Sequence, residues 1–130
     1  PDDRVATAAY WPAAGEIDVV ETYSTYADLG IPYLHYSAYD NGGPIPGTNT
    51  AWNCVAARGV FNTWTLEWTA SYLKVMVNGR TCLVNRSGDA AFQKPYIAAF
   101  TQALGAEGNV YDGRAPMSAT MQVDYLRVWE

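Results

Sequence analysis

Three carboxylates fall within six residues in Gly15-Glu16-Ile17-Asp18-Val19-Val20-Glu21, separated only by branched apolar side chains. Ile17, Val19 and Val20 favour a strand over a helix. On a strand, Glu16 and Asp18 share one face because side chains alternate with a period of two. Glu21 stands five positions after Glu16, so a regular strand points it to the opposite face. One extra residue at Val19-Val20, a β-bulge, brings it back. Three acids then line one surface of a sheet. Packing gives no reason for that, because like charges repel and raise one another's pKa. Catalysis gives one. The alternative is an exposed strand whose polar face is acidic, and spacing alone does not separate the two.

The chemistry that fits is hydrolysis of a glycosidic bond. A retaining mechanism needs two carboxyl groups roughly 5–5.5 Å apart. One attacks the anomeric carbon as an anion. The other protonates the leaving oxygen and later activates water. A third acid between them can keep their proton affinities apart.

The whole stretch from Trp11-Pro12 to Glu21 resembles the signature of glycoside hydrolase family 16, which includes endo-β-1,3-glucanases (laminarinases) and β-1,3-1,4-glucanases. The two-residue spacer Val19-Val20 is similar to the bulged, laminarinase-type variant. By that resemblance Glu16 is the nucleophile, Asp18 the assisting acid and Glu21 the general acid/base. Further segments look like later strands of the family: Phe61-Asn62-Thr63-Trp64-Thr65-Leu66-Glu67-Trp68-Thr69, the hairpin at 72–80, residues 95–105, and Val123-Asp124-Tyr125-Leu126-Arg127-Val128-Trp129. The resemblance implies an all-β, concanavalin A-like jelly roll of two antiparallel sheets, with substrate across the concave one. The family's catalytic strand lies mid-domain, whereas here it begins at position 16. The chain is therefore expected to be one partial domain, 1–130, corresponding to the C-terminal half and lacking the N-terminal strands. Unpaired edges and exposed apolar faces would follow, with marginal stability and a tendency to aggregate.

The same resemblance offers three substrate-binding candidates. Trp11 matches a tryptophan at the cleft floor, His35 a histidine facing the cleft near the acid/base, and Gln102 the end of a late concave strand. Each also has a plain reading, as packing, a satisfied polar residue or a loop edge. Asp124 matches a position that often binds a structural calcium, whose partner ligands would come mostly from the other half. No cofactor is expected for the chemistry itself. No Cys/His cluster has zinc spacing, and no Gly-rich phosphate loop is present.

The elements that must position these groups read as short strands separated by turns, the pattern of a β-sandwich or barrel. The strand-like runs are 16–23, 32–38, 51–57, 63–69, 72–77, 80–85, 95–102 and 119–129. Asn78-Gly79 is a two-residue hairpin signal, since a type I′ turn needs positive φ at both central residues. Asp40-Asn41-Gly42-Gly43-Pro44-Ile45-Pro46-Gly47 reads as a surface loop, and 103–116 as a long loop bordering a cleft. Trp64 and Trp68 alternate on one strand face and are expected mainly in the core.

Composition narrows the partners. The apolar fraction of 49% is enough for a core. Ten Tyr and five Trp against three Phe suit a surface that stacks on sugar rings, although β-sandwiches are aromatic-rich in general. Thirteen acidic against eight basic residues, a net charge of −5, argue against nucleic acid and against an anionic membrane surface. No apolar run approaches the ~20 residues of a membrane span. The expected partner is a β-glucan, bound by a secreted monomer. The start at Pro1-Asp2-Asp3-Arg4, without Met or leader, is expected of a truncated or processed product. Cys54 and Cys82 fall in predicted strands and could bridge in an oxidising compartment or remain free thiols. Asn85-Arg86-Ser87 is a glycosylation sequon. A second function class stays open, a non-catalytic carbohydrate-binding sandwich or an inactive fragment of the enzyme.

Overall fold

Alternating apolar side chains and two kinds of chain reversal build five short strands in the computed structural model of the chain. The structure describes residues 11–36, 43–105, 107–114 and 116–130. The start of the chain, the 37–38 end of the second expected strand and the first three residues of the 40–47 loop lie outside them.

The strands are β1 (Glu16–Glu21), β2 (Ile31–His35), β3 (Trp64–Trp68), β4 (Leu73–Val77) and β5 (Arg80–Asn85). β1 and β2 form a two-stranded antiparallel sheet; β3, β4 and β5 form a three-stranded one in that order. Five of the expected strands are therefore present, four of them within two residues of their expected bounds, while β2 starts one residue early and ends at His35 where 32–38 was expected. The turn between β4 and β5 has φ of 49° at Asn78 and 77° at Gly79, as a type I′ turn requires. Asn78 also ties the hairpin back to β3, its Oδ1 accepting from the Thr63 amide at 2.9 Å.

The two sheets share one core. In β4, Leu73, Val75 and Val77 are buried while Lys74 and Met76 are only partly covered, the period-two pattern of a half-buried strand. Leu34 of β2 and Leu83 of β5 are buried in the same cluster, with Ile17, Val19, Trp64 and Leu66 packed against it. This all-β arrangement of two antiparallel sheets is consistent with part of a β-sandwich. Burying Leu34 fully supplies roughly 1.5–3 kcal/mol of hydrophobic stabilisation.

Three expected strands are absent. Residues 51–57 instead run irregularly and meet Leu29 and Gly30 just before β2, while Asn49 and Thr50 touch β2 itself at isolated points. The Leu34 amide donates to the Asn49 carbonyl at 2.7 Å, the Gly30 amide to the Cys54 carbonyl at 3.0 Å, and Leu29 bridges Val55. Asn49 and Thr50 are fully buried there, and Thr50 Oγ1 satisfies the Pro32 carbonyl at 2.9 Å. Runs 95–102 and 119–129 form no ladder among the described residues. Apolar alternation says which faces favour burial, but a strand exists only where a second chain segment supplies its hydrogen bonds. Cys54 thus sits in an irregular segment rather than a strand. It is bridged to Cys82 of β5, with Cα atoms 5.3 Å apart, inside the usual disulfide range.

The chain divides into two units, Pro1–Ile97 and Ala98–Glu130. The first holds all five strands and a 3₁₀ turn at Ala90–Phe92, capped by the Asp89 carboxylate, which accepts from the Ala91 amide at 2.8 Å. The second holds one 3₁₀ turn, Glu107–Asn109, and no strand among its described residues. Its apolar side chains are exposed, Val128 at 79% and Trp129 at 76% among them.

The sequon is not a usable acceptor in this fold. Asn85 is buried, its Nδ2 donating to the Tyr36 hydroxyl at 3.1 Å and the Thr48 carbonyl at 2.9 Å. Its Oδ1 accepts from the amide and hydroxyl of Ser87.

Candidate active site

The site is built on β1 and β2. Their register pairs Glu16 with His35, Ile17 with Leu34 and Asp18 with Tyr33, then slips so that Glu21 pairs with Ile31. The slip between Asp18 and Glu21 is the bulge expected at Val19-Val20. Paired residues in an antiparallel ladder share a face. Glu16, Asp18, Tyr33 and His35 therefore lie together, opposite the face on which Ile17, Val19 and Leu34 enter the core. Glu21 joins them, since Asp18, His35 and Glu16 all act on it electrostatically.

Each acid has its own partner. Trp11 precedes β1 and its indole N–H donates to Glu16 Oε2 at 2.7 Å. The turn that carries Trp11 back to the strand closes with the Gly15 amide on the Pro12 carbonyl at 2.8 Å. The Trp11-Pro12 peptide is cis. His35 Nε2 lies 3.5 Å from Asp18 Oδ2. Its other ring nitrogen, Nδ1, is buried with no hydrogen-bond partner among the described residues. The imidazole stacks on Tyr33 with centroids 4.2 Å apart and meets Trp11 at 5.0 Å in a tilted contact. The side chain is only 13% exposed, so His35 serves as much to brace the face as to border it.

Glu21 is half-buried and takes a hydrogen bond from the Tyr23 hydroxyl, 2.7 Å from Oε1. Burial raises its pKa, the hydrogen bond from Tyr23 opposes that rise, and the negative charges of Asp18 and Glu16 add to it while His35 lowers it. A carboxyl held above the ordinary carboxylate range suits a group that must carry a proton. Tyr23 is itself pushed well up, first by burial and then by its bond to Glu21, so it stays a neutral hydroxyl.

Among the described residues, Tyr23 and Tyr33 also belong to the candidate face, although no motif singles them out. Tyr33 was within reach, since it stands two positions before His35 on a strand. Tyr23 follows the end of β1, where strand periodicity no longer places side chains.

Glu16, Asp18 and His35 each offer one metal-ligand atom, all within 4.8 Å of one another. These are the groups of the acidic face itself, and we assign no metal to them. Asp124 is exposed in the second unit, and among the described residues no group of three or more His, Cys, Asp or Glu side chains with metal spacing includes it. Asp124 by itself offers one carboxylate of the six to eight oxygen ligands that calcium takes. Gln102 also lies in the second unit, with an exposed side chain. Trp64 packs against the core as expected, whereas Trp68 is partly exposed and donates its indole N–H to the Phe92 carbonyl at 2.8 Å.

No protein-family model matches the chain, and no solved structure matches it. Among curated proteins the chain is similar to a beta-glucanase of Rhodothermus marinus, 27% identical over an aligned length of 143 residues that takes in 99% of this chain and 49% of that protein. The chain thus spans about half the length of the curated relative it matches.

Proposed function

We propose that this chain carries the catalytic face of a retaining endo-β-glucanase of glycoside hydrolase family 16 type, acting on β-1,3- or β-1,3-1,4-linked glucan. The observation that carries the reading is the register slip in β1. It gathers Glu16, Asp18 and Glu21 on one face and leaves Glu21 with a raised pKa. Similarity to a beta-glucanase supports a glucan-hydrolysing role.

In this mechanism the Glu16 carboxylate attacks the anomeric carbon while Glu21, as the acid, gives its proton to the departing glycosidic oxygen. The C–O bond to the leaving sugar breaks and an ester to Glu16 forms. Glu21, now an anion, takes a proton from water, the water oxygen bonds to the anomeric carbon, and Glu16 leaves. Asp18 stands between the two on the same face. Its charge helps keep Glu21 protonated in the first step. Trp11, 46% exposed, supplies a flat apolar surface for a sugar ring beside the nucleophile it orients. Secretion belongs to the same proposal, and the Cys54–Cys82 bridge is compatible with an oxidising compartment.

The test is reducing-sugar release from laminarin and from barley mixed-linkage glucan by the parent, Glu16→Gln and Glu21→Gln. Release by the parent, lost in both variants by 10³-fold or more, on the order expected for removing a catalytic carboxylate, supports the assignment. Undiminished release by Glu16→Gln refutes it. The exposed Trp11 also supports a second reading, a face that binds glucan without cleaving it. Retention of the chain on laminarin with no sugar released by the parent would favour that reading.

A further inference from the structure

We propose that Tyr23 is a positioning residue for Glu21, holding its carboxyl in one orientation and remaining its hydrogen-bond partner in both protonation states. The inference rests on the reading of Glu21 as general acid/base. That role obliges Glu21 to lose and regain a proton in each turnover, so its environment must accommodate the acid and the anion alike. The partner's chemistry decides whether it can. An indole N–H, such as the one on Glu16, only donates. A phenol donates to a carboxylate and accepts from a carboxylic acid by rotating one O–H bond. Tyr23 is therefore suited to the acid that cycles.

The geometry is built rather than incidental. Tyr23 is half-buried, and its hydroxyl lies 2.7 Å from Glu21 Oε1. Because it follows the last residue of β1, no ladder fixes its backbone. Other contacts do so. The Tyr23 carbonyl accepts from the Tyr26 amide at 3.0 Å and from Arg58 Nη2 at 2.5 Å. The Arg58 Nε also donates to the Ala27 carbonyl at 2.6 Å. One guanidinium thus spans the turn from 23 to 27, anchoring it from a segment more than thirty residues away in sequence. The groups acting on Glu21 are Tyr23 itself, Asp18 and Glu16 of β1 and His35 of β2; those acting on Tyr23 are Glu21, Asp18 and Tyr33. Burial and the two acids raise Glu21, and Tyr23 is the first-ranked influence that lowers it. Removing the hydroxyl leaves the raising influences less opposed.

The test is Tyr23→Phe, which deletes one oxygen. Carbon-13 NMR of the Glu21 side-chain carboxyl across pH reads its titration directly in the parent chain, with or without turnover. The titration midpoint should rise in Tyr23→Phe. The alkaline limb of the kcat profile on laminarin should move the same way, with kcat about tenfold lower and KM little changed, as loss of one hydrogen bond to a reacting group implies. A merely structural role would leave both midpoints in place. An unchanged or lowered Glu21 midpoint in the folded variant overturns the proposal. Should Tyr23→Phe fail to fold, Arg58→Gln loosens the same turn without touching Glu21. A rise in the Glu21 midpoint then supports the coupling, and no change refutes it. If the parent hydrolyses no glucan while the Glu21 midpoint still rises in Tyr23→Phe, the acid/base reading fails and the Tyr23–Glu21 coupling stands.

Discussion

Replacing Gly15 by Ala should destabilise the strand-bearing unit by an amount that can be worked from the structure. Gly15 has φ of +84°, where an L side chain costs roughly 1–2 kcal/mol. A Cβ there would collide with the Tyr96 hydroxyl and press on Ala91, at 3.0 Å from its Cβ and 3.1 Å from its carbonyl oxygen. Tyr96 could escape only by giving up its 2.9 Å hydrogen bond to the Ala91 carbonyl, a loss of about 1 kcal/mol. The sum is about 2–3 kcal/mol, or a fall in Tm of about 10–15 °C for a unit of about 100 residues. Thermal unfolding followed by circular dichroism measures it. Tyr96→Phe sharpens the test, because it removes the oxygen that blocks the new Cβ. Alone it should cost about 1 kcal/mol. Combined with Gly15→Ala it should cost about 1 kcal/mol less than the two single changes added. A Gly15→Ala variant that melts with the parent, or a pair whose costs simply add, would refute the reasoning. The consequence reaches the site, since Gly15 precedes Glu16 and closes the turn from Trp11.

Glu21 carries a stability cost whose sign follows from its raised pKa. Burial favours its protonated form in the folded chain, so the stability tied to it is full below the ordinary value of 4.5 and is lost as pH rises through the folded value. Glu21→Gln does not titrate and can still accept from Tyr23, so its stability advantage over the parent in urea denaturation should grow from about pH 4 to neutrality; a gap that stays constant or shrinks contradicts this. Reduction of the Cys54–Cys82 bridge opens a loop of 28 residues, which predicts a loss of about 3.5 kcal/mol. Denaturation with and without reductant measures that loss, and a difference near zero would mean the bridge closes no loop in the unfolded chain.

The acidic strand β1, its bulge and the hairpin at Asn78-Gly79 were legible because each is a local rule. Period-two alternation, an acid out of phase by one, and a dipeptide that tolerates positive φ all act within a few residues. His35 and Tyr33 were legible through the same alternation on β2. What was not legible depends on partners distant in sequence. Residues 51–57 have strand-like composition, yet Asn49 and Thr50 sink fully into the core and the chain touches β2 only at separate bridges. The run Val123-Asp124-Tyr125-Leu126-Arg127-Val128-Trp129 has the alternation of a strand and makes no ladder among the described residues. Asn85 fits a surface sequon, but its amide is consumed by Tyr36 and Thr48, whose positions no spacing rule reveals. Tyr23 escaped for the same reason, its placement resting on Arg58.

The bulge in β1 also explains why this acid set can exist at all. Without the bulge, strict alternation from Glu16 would put Val20 outward and Glu21 on the side of Ile17, Val19 and Leu34. An ionised carboxylate in that apolar layer would cost several kcal/mol unless it stayed protonated. With the slip between Asp18 and Glu21, the carboxyl instead reaches a boundary where it is half-buried, hydrogen-bonded to a hydroxyl and still close to two other acids. That boundary raises its proton affinity, the direction that the proposed acid/base role calls for. A break in local periodicity within an otherwise regular strand is the kind of departure that functional sites carry. The register slip therefore supports the proposed catalytic reading more than the number of acids does, because on a regular ladder Glu21 would not share a face with Glu16 and Asp18.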